Sequence, residues 1–254
     1  MRFSVNLDFV YEGEDYVKAM YEIREIGFEQ IEICFMQNKS LDALVEAQKQ
    51  TGLGVELMLS DFINLTEAEK KNDFIKAMEG KIRQASALGC KKIIVAAGDD
   101  IQGIDHGEQL KNIERGCIEM IPMFEKTGMQ MLIEPINKKV NHPKTGLWSS
   151  KESFEMVRRI NHPAVRVLYD IYHMQVMEGD VTRTILNNLD LISHLHCAGN
   201  PGRNEPYMGE LNYPEILRRV SEGGYNGAVG IEYTPVVTPR EGLMKLYEMY
   251  QKFM

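Results

Sequence analysis

The sequence predicts a (β/α)₈ TIM barrel, and three observations support this prediction. Short apolar, β-rich runs alternate with longer stretches of helical period along the chain, as repeated βα units require. Eight such units fit the 254 residues at about 32 residues each, close to the usual barrel length. No glycine-rich phosphate loop (G-x-G-x-x-G or G-x-x-x-x-G-K-[ST]) occurs, which disfavours the alternative of an open doubly wound sheet. No linker divides the chain, so residues 1–254 are predicted to form a single domain.

Each predicted strand is a short apolar run bounded by glycine, proline or polar residues. In chain order the runs are 3–7, 30–35, 54–59, 92–96, 130–134, 165–170, 192–196 and 228–232. A glycine lies shortly before several of them and is typical of a helix C-cap, because glycine adopts the left-handed conformation without steric cost. These glycines are Gly27, Gly52, Gly89, Gly128 and Gly224.

Three motifs predict helix starts. In the capping box, a hydroxyl and a glutamate three residues later satisfy free N–H groups of the first helical turn. One of the three motifs also has a proline at the first helical position, where its missing N–H costs nothing. The motifs are Thr66-x-x-Glu69, Ser149-x-x-Glu152 and Thr238-Pro239-Arg240-Glu241.

The composition predicts a globular protein of the cytoplasm. Lys and Arg number 29 against 37 Asp and Glu, so the formal charge is −8 and binding to nucleic acid is not expected. The first residues reach a charged side chain before any long apolar stretch, and nowhere do about 18 apolar residues follow one another, so neither a signal peptide nor a membrane partner is expected. The four cysteines are scattered, as is typical of reduced core thiols. Association into a homo-oligomer is left open.

Potential metal ligands end each of the last four predicted strands. They are Glu134, Asp170, His196 and Glu232. Because the carboxyl ends of barrel strands surround the active site, we expect these four side chains to meet. Three carboxylates and one imidazole suit one divalent metal ion, Mn²⁺ or Mg²⁺ first, with Co²⁺ and Zn²⁺ as alternatives. The competing interpretations are helix caps or solvated loop residues, or a buried acid cluster that protons neutralise.

Two further polar residues follow these strands. His173 comes three residues after Asp170, and Arg203 comes seven residues after His196 in the next loop. An imidazole and a guanidinium near a metal can bind a hydroxyl, carboxylate or phosphate of a substrate. Taken alone, a residue of either type is more often an ordinary surface residue. The histidines at 106, 142, 162 and 194 have no such placement, although the one at 194 shares a strand face with His196.

Five short motifs in the second half of the chain resemble those of the xylose-isomerase-like superfamily. They are Ile133-Glu134-Pro135, Asp170-Ile171-Tyr172-His173, His196-Cys197-Ala198-Gly199 with Arg203, Gly209-Glu210-Leu211-Asn212-Tyr213-Pro214, and Gly230-Ile231-Glu232-Tyr233. Within the superfamily, the Gly-Glu-x-Asn-Tyr-Pro stretch is most similar to that of the hydroxypyruvate isomerase family. The first half of the chain shares only the order of its elements with these proteins.

The resemblance implies a role for each matching position. Glu134 and Glu232 match the glutamates that ligate the metal and exchange protons with the substrate, so they are the expected catalytic pair. Asp170 matches a metal ligand, and His173 and Arg203 match positions that contact the substrate.

The resemblance leaves several reactions open, because His196 departs from it. Hydroxypyruvate isomerases usually have glutamine at this position, whereas the related ketose 3-epimerases have histidine. The expected function is metal-dependent isomerisation of a small hydroxy-carbonyl compound, by proton transfer through an ene-diolate. Alternatives are a ketose or ketose-phosphate 3-epimerase, an inosose-type dehydratase and a non-catalytic metal-dependent sugar-binding protein. A DNA-repair endonuclease of the same superfamily is disfavoured, because it needs more histidines at its strand ends.

Overall fold

A closed barrel of eight parallel strands forms the centre of the computed structural model, which describes residues 1–253. The strands are β1 (Arg2–Asn6), β2 (Gln30–Ile33), β3 (Gly54–Leu59), β4 (Lys92–Val95), β5 (Gln130–Ile133), β6 (Val165–Asp170), β7 (Ile192–Cys197) and β8 (Ala228–Ile231). β1 pairs with both β2 and β8, with Val5 opposite Ile231, so the sheet closes on itself. The predicted barrel is confirmed, and the open doubly wound sheet, which has two free edges, is excluded. The predicted strand ends lie within two residues of the observed ones.

Helices follow the strands and cover the outside of the barrel. Within residues 1–253 they are α1 (Leu7–Val10), α2 (Tyr16–Ile26), α3 (Leu41–Thr51), α4 (Lys71–Ala87), α5 (His106–Thr127), α6 (Ser150–Ile160), α7 (Ile171–Met177), α8 (Val181–Leu186), α9 (Tyr213–Glu222) and α10 (Pro239–Tyr250), with short 3₁₀ turns at Ala68–Lys70 and Gln251–Phe253. None of these helices is both long and apolar enough to cross a membrane.

The predicted helix ends are confirmed where glycine adopts a positive φ. Gly27, Gly52 and Gly128 cap α2, α3 and α5 with φ of 118°, 73° and 63°. Gly89 and Gly224 adopt the same conformation one residue beyond the C-caps of α4 and α9. Each glycine turns the chain out of a helix and into the next strand.

Two of the three predicted helix starts are confirmed. Thr238 and Glu241 form a complete capping box at the start of α10, where Pro239 occupies the first turn. Ser149 caps α6 by accepting a hydrogen bond from the Glu152 backbone N–H.

The third predicted helix start, at Thr66, is wrong. Thr66 is buried, and its Oγ1 donates to the Asp99 carbonyl at 2.8 Å instead of accepting from a helix N–H. α4 begins at Lys71, after the 3₁₀ turn Ala68–Lys70. The motif misleads because the hydroxyl finds its partner in the loop after β4, which is distant in the sequence.

The interior of the barrel contains an apolar layer and a polar one. The apolar layer comes from neighbouring strands and consists of Leu57, Ile94, Leu132 and Leu168. The polar layer is fully buried and includes Ser4, Glu32, His194 and His196. A larger apolar core lies between the strands and the helices.

Candidate active site

The structure brings the four predicted metal ligands together at the carboxyl ends of β5 to β8. His196 Nδ1 lies 3.6 Å from Glu134 Oε1 and 3.6 Å from Glu232 Oε2. The donor atoms of Asp170, His196 and Glu232 all lie within 4.8 Å of one another, and so do those of Glu134, Asp170 and His173. These four side chains, with His173 beside them, therefore form one cluster, which we call the acidic cluster (Glu134, Asp170, His196 and Glu232).

Asp170 belongs to this cluster and also caps a helix. β6 runs directly into α7, and Asp170 Oδ1 accepts the His173 backbone N–H at 2.9 Å. The other oxygen, Oδ2, lies 3.7 Å from His173 Nε2. The capping interpretation is thus correct for Asp170, but it uses only one carboxylate oxygen and leaves the second for the cluster.

The acidic cluster is buried, and burial shifts its proton affinities. Burial is the main cause that raises the pKa of Glu134 to about 7. His196 lowers this pKa, and the nearby carboxylates of Glu232 and Asp170 raise it by smaller amounts. Burial also raises the pKa of Asp170. Burial acts in the same direction on Glu232, but Arg203 and His196 outweigh it and hold the pKa of Glu232 below its usual range.

The donor set fits a divalent cation. His196 Nδ1 is a buried ring nitrogen without a hydrogen-bond partner among the described residues. Around it stand three carboxylates, which repel one another in a buried site unless positive charge or protons compensate them. Three oxygen donors and one imidazole are typical of sites for Mn²⁺ or Mg²⁺, and they also accept Co²⁺ or Zn²⁺.

Arg203 lies against the cluster, as predicted. Its guanidinium forms an ion pair with Glu232, whose other oxygen accepts a hydrogen bond from Asn6 Nδ2 at 3.3 Å. The guanidinium carbon lies 4.5 Å from the centre of the Phe9 ring, and the buried Nε has no partner within residues 1–253. Arg203 therefore fixes Glu232 and keeps one buried N–H donor unused.

His173 is held as a neutral donor by a residue that we did not predict. Asn137 Oδ1 accepts the backbone N–H groups of Val140 and Asn141 at 3.1 and 2.8 Å, so its Nδ2 must be the donor. That Nδ2 lies 2.6 Å from His173 Nδ1, which consequently accepts and leaves the proton on Nε2. Burial, helped by Arg203, holds the pKa of His173 well below its usual range, which keeps the ring neutral.

A cavity of about 330 Å³ opens beside the acidic cluster. Glu134, Glu232, His173 and Arg203 line one side of it. The opposite side is largely apolar and includes Phe9, Phe35, Leu59, Phe62 and Ile94. The volume is at the lower end of the range for small-molecule sites, so the cavity suits a small polar compound.

Four residues of the site escaped the sequence analysis. Asn6, Glu32 and Asn137 contact predicted site residues, and His142, which we gave no placement, lines the cavity with its ring 5.4 Å from that of His173. Glu32 had a signal, because it is a carboxylate inside an apolar strand. Asn137 and His142 lie in an irregular loop, where neither a hydrophobic periodicity nor the end of a strand identifies a residue as functional.

Comparison with known proteins identifies the family. A family model described as xylose isomerase-like TIM barrel matches residues 20–252. Hydroxypyruvate isomerase of Escherichia coli K12 is 29% identical over 251 residues, which cover 96% of this chain and 97% of that protein.

Solved structures show the same barrel. A Brucella melitensis protein described as an AP endonuclease of family 2 has a TM-score of 0.92 at 27% identity, with 98% of both chains covered. The 3-keto-D-glucoside 4-epimerase of E. coli has a TM-score of 0.85 at 19% identity, with 99% of both chains covered. The family match spans most of the sequence, and this chain accordingly belongs to the xylose isomerase-like TIM barrel family, as an enzyme of the isomerase and epimerase class.

Proposed function

We propose that this enzyme is a divalent-metal-dependent isomerase of a small hydroxy-carbonyl compound, similar to hydroxypyruvate isomerase. One observation supports the proposal above all others. Two glutamates that line one small cavity, Glu134 and Glu232, each have a carboxylate oxygen 3.6 Å from His196 Nδ1. A binding protein needs ligands for its cation, but it does not need two carboxylates that both reach a substrate.

The acidic cluster would hold the cation. Glu134, Asp170 and Glu232 would contribute oxygen donors and His196 its free Nδ1. When bound, the cation supplies positive charge that offsets the negative charge developing on the substrate oxygens as the neighbouring C–H bond breaks. We propose Mn²⁺ or Mg²⁺, because the donor set is rich in oxygen.

The two glutamates would move the proton. One carboxylate removes a proton from the carbon beside the carbonyl group, and a carboxylic acid returns it. Return of this proton to the neighbouring carbon, together with transfer of the hydroxyl proton to the former carbonyl oxygen, exchanges the carbonyl and hydroxyl positions, which is isomerisation. The His173 Nε2–H and the free Arg203 Nε–H are donors at this cavity and would orient the substrate oxygens.

Epimerisation is the second candidate, and His196 is the observation that favours it. The resemblance to the superfamily associates histidine at this position with ketose 3-epimerases. The same two glutamates would then act on opposite faces of one carbon, so that the proton returns with inverted configuration. The reaction needs no further residue, and the substrate decides between the two outcomes.

The test is an assay of proton exchange and product formation with hydroxypyruvate, ketoses, ketose phosphates and an inosose. The protein is freed of metal with a chelator and reloaded with Mn²⁺, Mg²⁺, Co²⁺ or Zn²⁺. We expect turnover of at least one compound with the loaded wild type and none with the Glu134→Gln, Glu232→Gln double variant. Equal inertness of both proteins, or sugar binding without deuterium incorporation from solvent, would refute the proposal. Cleavage of abasic-site DNA would refute it in favour of an endonuclease.

The proposal includes the setting in which the enzyme works. We propose a single domain over residues 1–254 that acts on a small molecule in the cytoplasm. The four cysteines are buried and free, which suits a reducing compartment.

A further inference from the structure

A buried glutamate contacts the ring nitrogen of His196 that does not face the acidic cluster. Glu32, on β2, and His196, on β7, are both 0% exposed. Glu32 Oε2 lies 3.1 Å from His196 Nε2. Because the two nitrogens of an imidazole lie on different edges of the ring, Glu32 and the acidic cluster approach His196 from different sides.

Other buried groups fix the Glu32 carboxylate. Its Oε1 accepts a hydrogen bond from Ser4 Oγ at 2.6 Å and lies 2.8 Å from His194 Nε2. Neither imidazole reaches Glu32 with the geometry of a good hydrogen bond, so these are close charge–dipole contacts. Even in this geometry, a carboxylate beside a ring nitrogen favours the tautomer that carries its proton on that nitrogen.

β8, which lies between β7 and β1, has a glycine beside the contact between Glu32 and His196. Gly230, on β8, lies opposite both Ser4 and His196 in the sheet register. A Cβ atom at Gly230 would lie 2.3 Å from Glu32 Oε1 and 2.6 Å from His196 Cδ2. Backbone conformation does not require this glycine, since its φ is not positive. The glycine is required for another reason, because any side chain at position 230 would occupy the space in which Glu32 contacts His196.

We propose that Glu32 is a positioning residue that keeps the proton on His196 Nε2 and so presents the lone pair of Nδ1 to the cation. Gly230 provides the room for this contact, and Ser4 orients the carboxylate. The inference rests on the proposed function only in requiring that the acidic cluster binds a divalent cation. Partners of this kind, which orient a ligating histidine through its other nitrogen, typically contribute 10- to 100-fold to metal affinity.

The first test measures Mn²⁺ affinity of the full chain by calorimetry. Glu32→Gln is expected to weaken Mn²⁺ binding by about 10- to 100-fold. Gly230→Ala is also expected to weaken Mn²⁺ binding. Glu56→Gln is the matched control, since Glu56 is another largely buried barrel glutamate but pairs with Lys92 at 2.6 Å and contacts no ligand. Glu56→Gln should leave the Mn²⁺ affinity unchanged.

A double-mutant cycle separates positioning from a general structural role. If Glu32 acts through the imidazole, Glu32→Gln has little further effect on Mn²⁺ affinity in a His196→Gln background. Equal losses in both backgrounds would overturn the proposal. So would a loss from His194→Gln as large as that from Glu134→Gln, because the ion would then lie on the Glu32 side of His196.

The second test uses the wild type and therefore does not depend on a variant that folds. ¹⁵N spectra of the histidine rings, recorded with Mg²⁺ or Zn²⁺, should show His196 protonated at Nε2 and not at Nδ1. A proton on Nδ1 in the loaded protein would overturn the proposal. A wild type that binds no cation would refute the proposed function as well, whereas a wild type and a Glu32→Gln variant that bind Mn²⁺ equally would refute this inference alone.

Discussion

The two halves of the barrel share one architecture and differ in how they use the polar atoms at the ends of their strands. In the first half, Asn6 Oδ1 accepts the N–H groups that start α1, and Ser60 Oγ accepts the Ala96 N–H at 3.0 Å. In the second half, the carboxylates of Glu134 and Glu232 reach the cavity. A polar residue at the end of a strand is therefore not sufficient to form a site. Its side chain must also keep polar atoms that are not already hydrogen-bonded to the backbone.

The apolar character of the first half has its own consequence for the chemistry. Phe9, Phe35 and Phe62 form a continuous aromatic wall, with ring centres 6.2 and 6.1 Å apart, on the side of the cavity away from the acidic cluster. Such a wall keeps water away from the charged side and strengthens electrostatic interactions there. We therefore expect variants in the second half to affect the chemical step and variants in the first half to affect binding.

The largest effect expected from this comparison is the fall in kcat when a proton-transfer group is removed. Glu134→Gln keeps the size of the side chain but removes the ability to accept a proton, so kcat should fall by about 10²- to 10⁴-fold. Leu59→Met is the matched control, because Leu59 ends β3 and lines the same cavity from the first half. It should change kcat by less than tenfold. The measurement is steady-state kinetics with the Mn²⁺-loaded enzyme. A comparable loss of kcat in both variants would contradict the expectation that only the second half of the barrel affects the chemical step.

The sequence was sufficient to predict the barrel and the positions of the carboxylates at the strand ends of its second half. Glycine before the strands and carboxylates after them are local signals, and Glu134, Asp170 and Glu232 lie where those signals predict. Contacts between residues that are distant in the sequence left no such signal. Glu32 meets His196 across 164 positions only because both side chains point into the barrel, and Thr66 finds a partner 33 residues away.

A smaller effect is expected from the loop residue that sets the His173 tautomer. Asn137→Asp replaces the Nδ2 donor by an acceptor, so His173 Nδ1 must then carry a proton. Loss of the Nε2–H donor, or a charged ring, should lower kcat/KM by about tenfold, the value of one buried hydrogen bond. ¹⁵N spectra of His173 check the cause.

The neighbouring asparagine provides the control for this prediction. Asn141 Oδ1 accepts from Asn137 at 2.8 Å and from the Tyr172 hydroxyl at 2.8 Å. Asn141→Asp keeps that acceptor, so the tautomer and kcat/KM should stay near the wild-type values. An equal loss in both variants would show that added negative charge, and not the tautomer, is responsible.

The smallest effect is expected at the mouth of the apolar wall. Phe62 lines the cavity but is 68% exposed, so its ring excludes water from only part of the substrate. Phe62→Ala should raise KM by about two- to fivefold and leave kcat unchanged, because an apolar contact stabilises the bound substrate and the transition state equally. Val236→Ala, an exposed apolar residue outside the cavity lining, should change neither constant. A lower kcat in Phe62→Ala would instead mean that the first half takes part in the chemical step, since uniform binding cannot alter it.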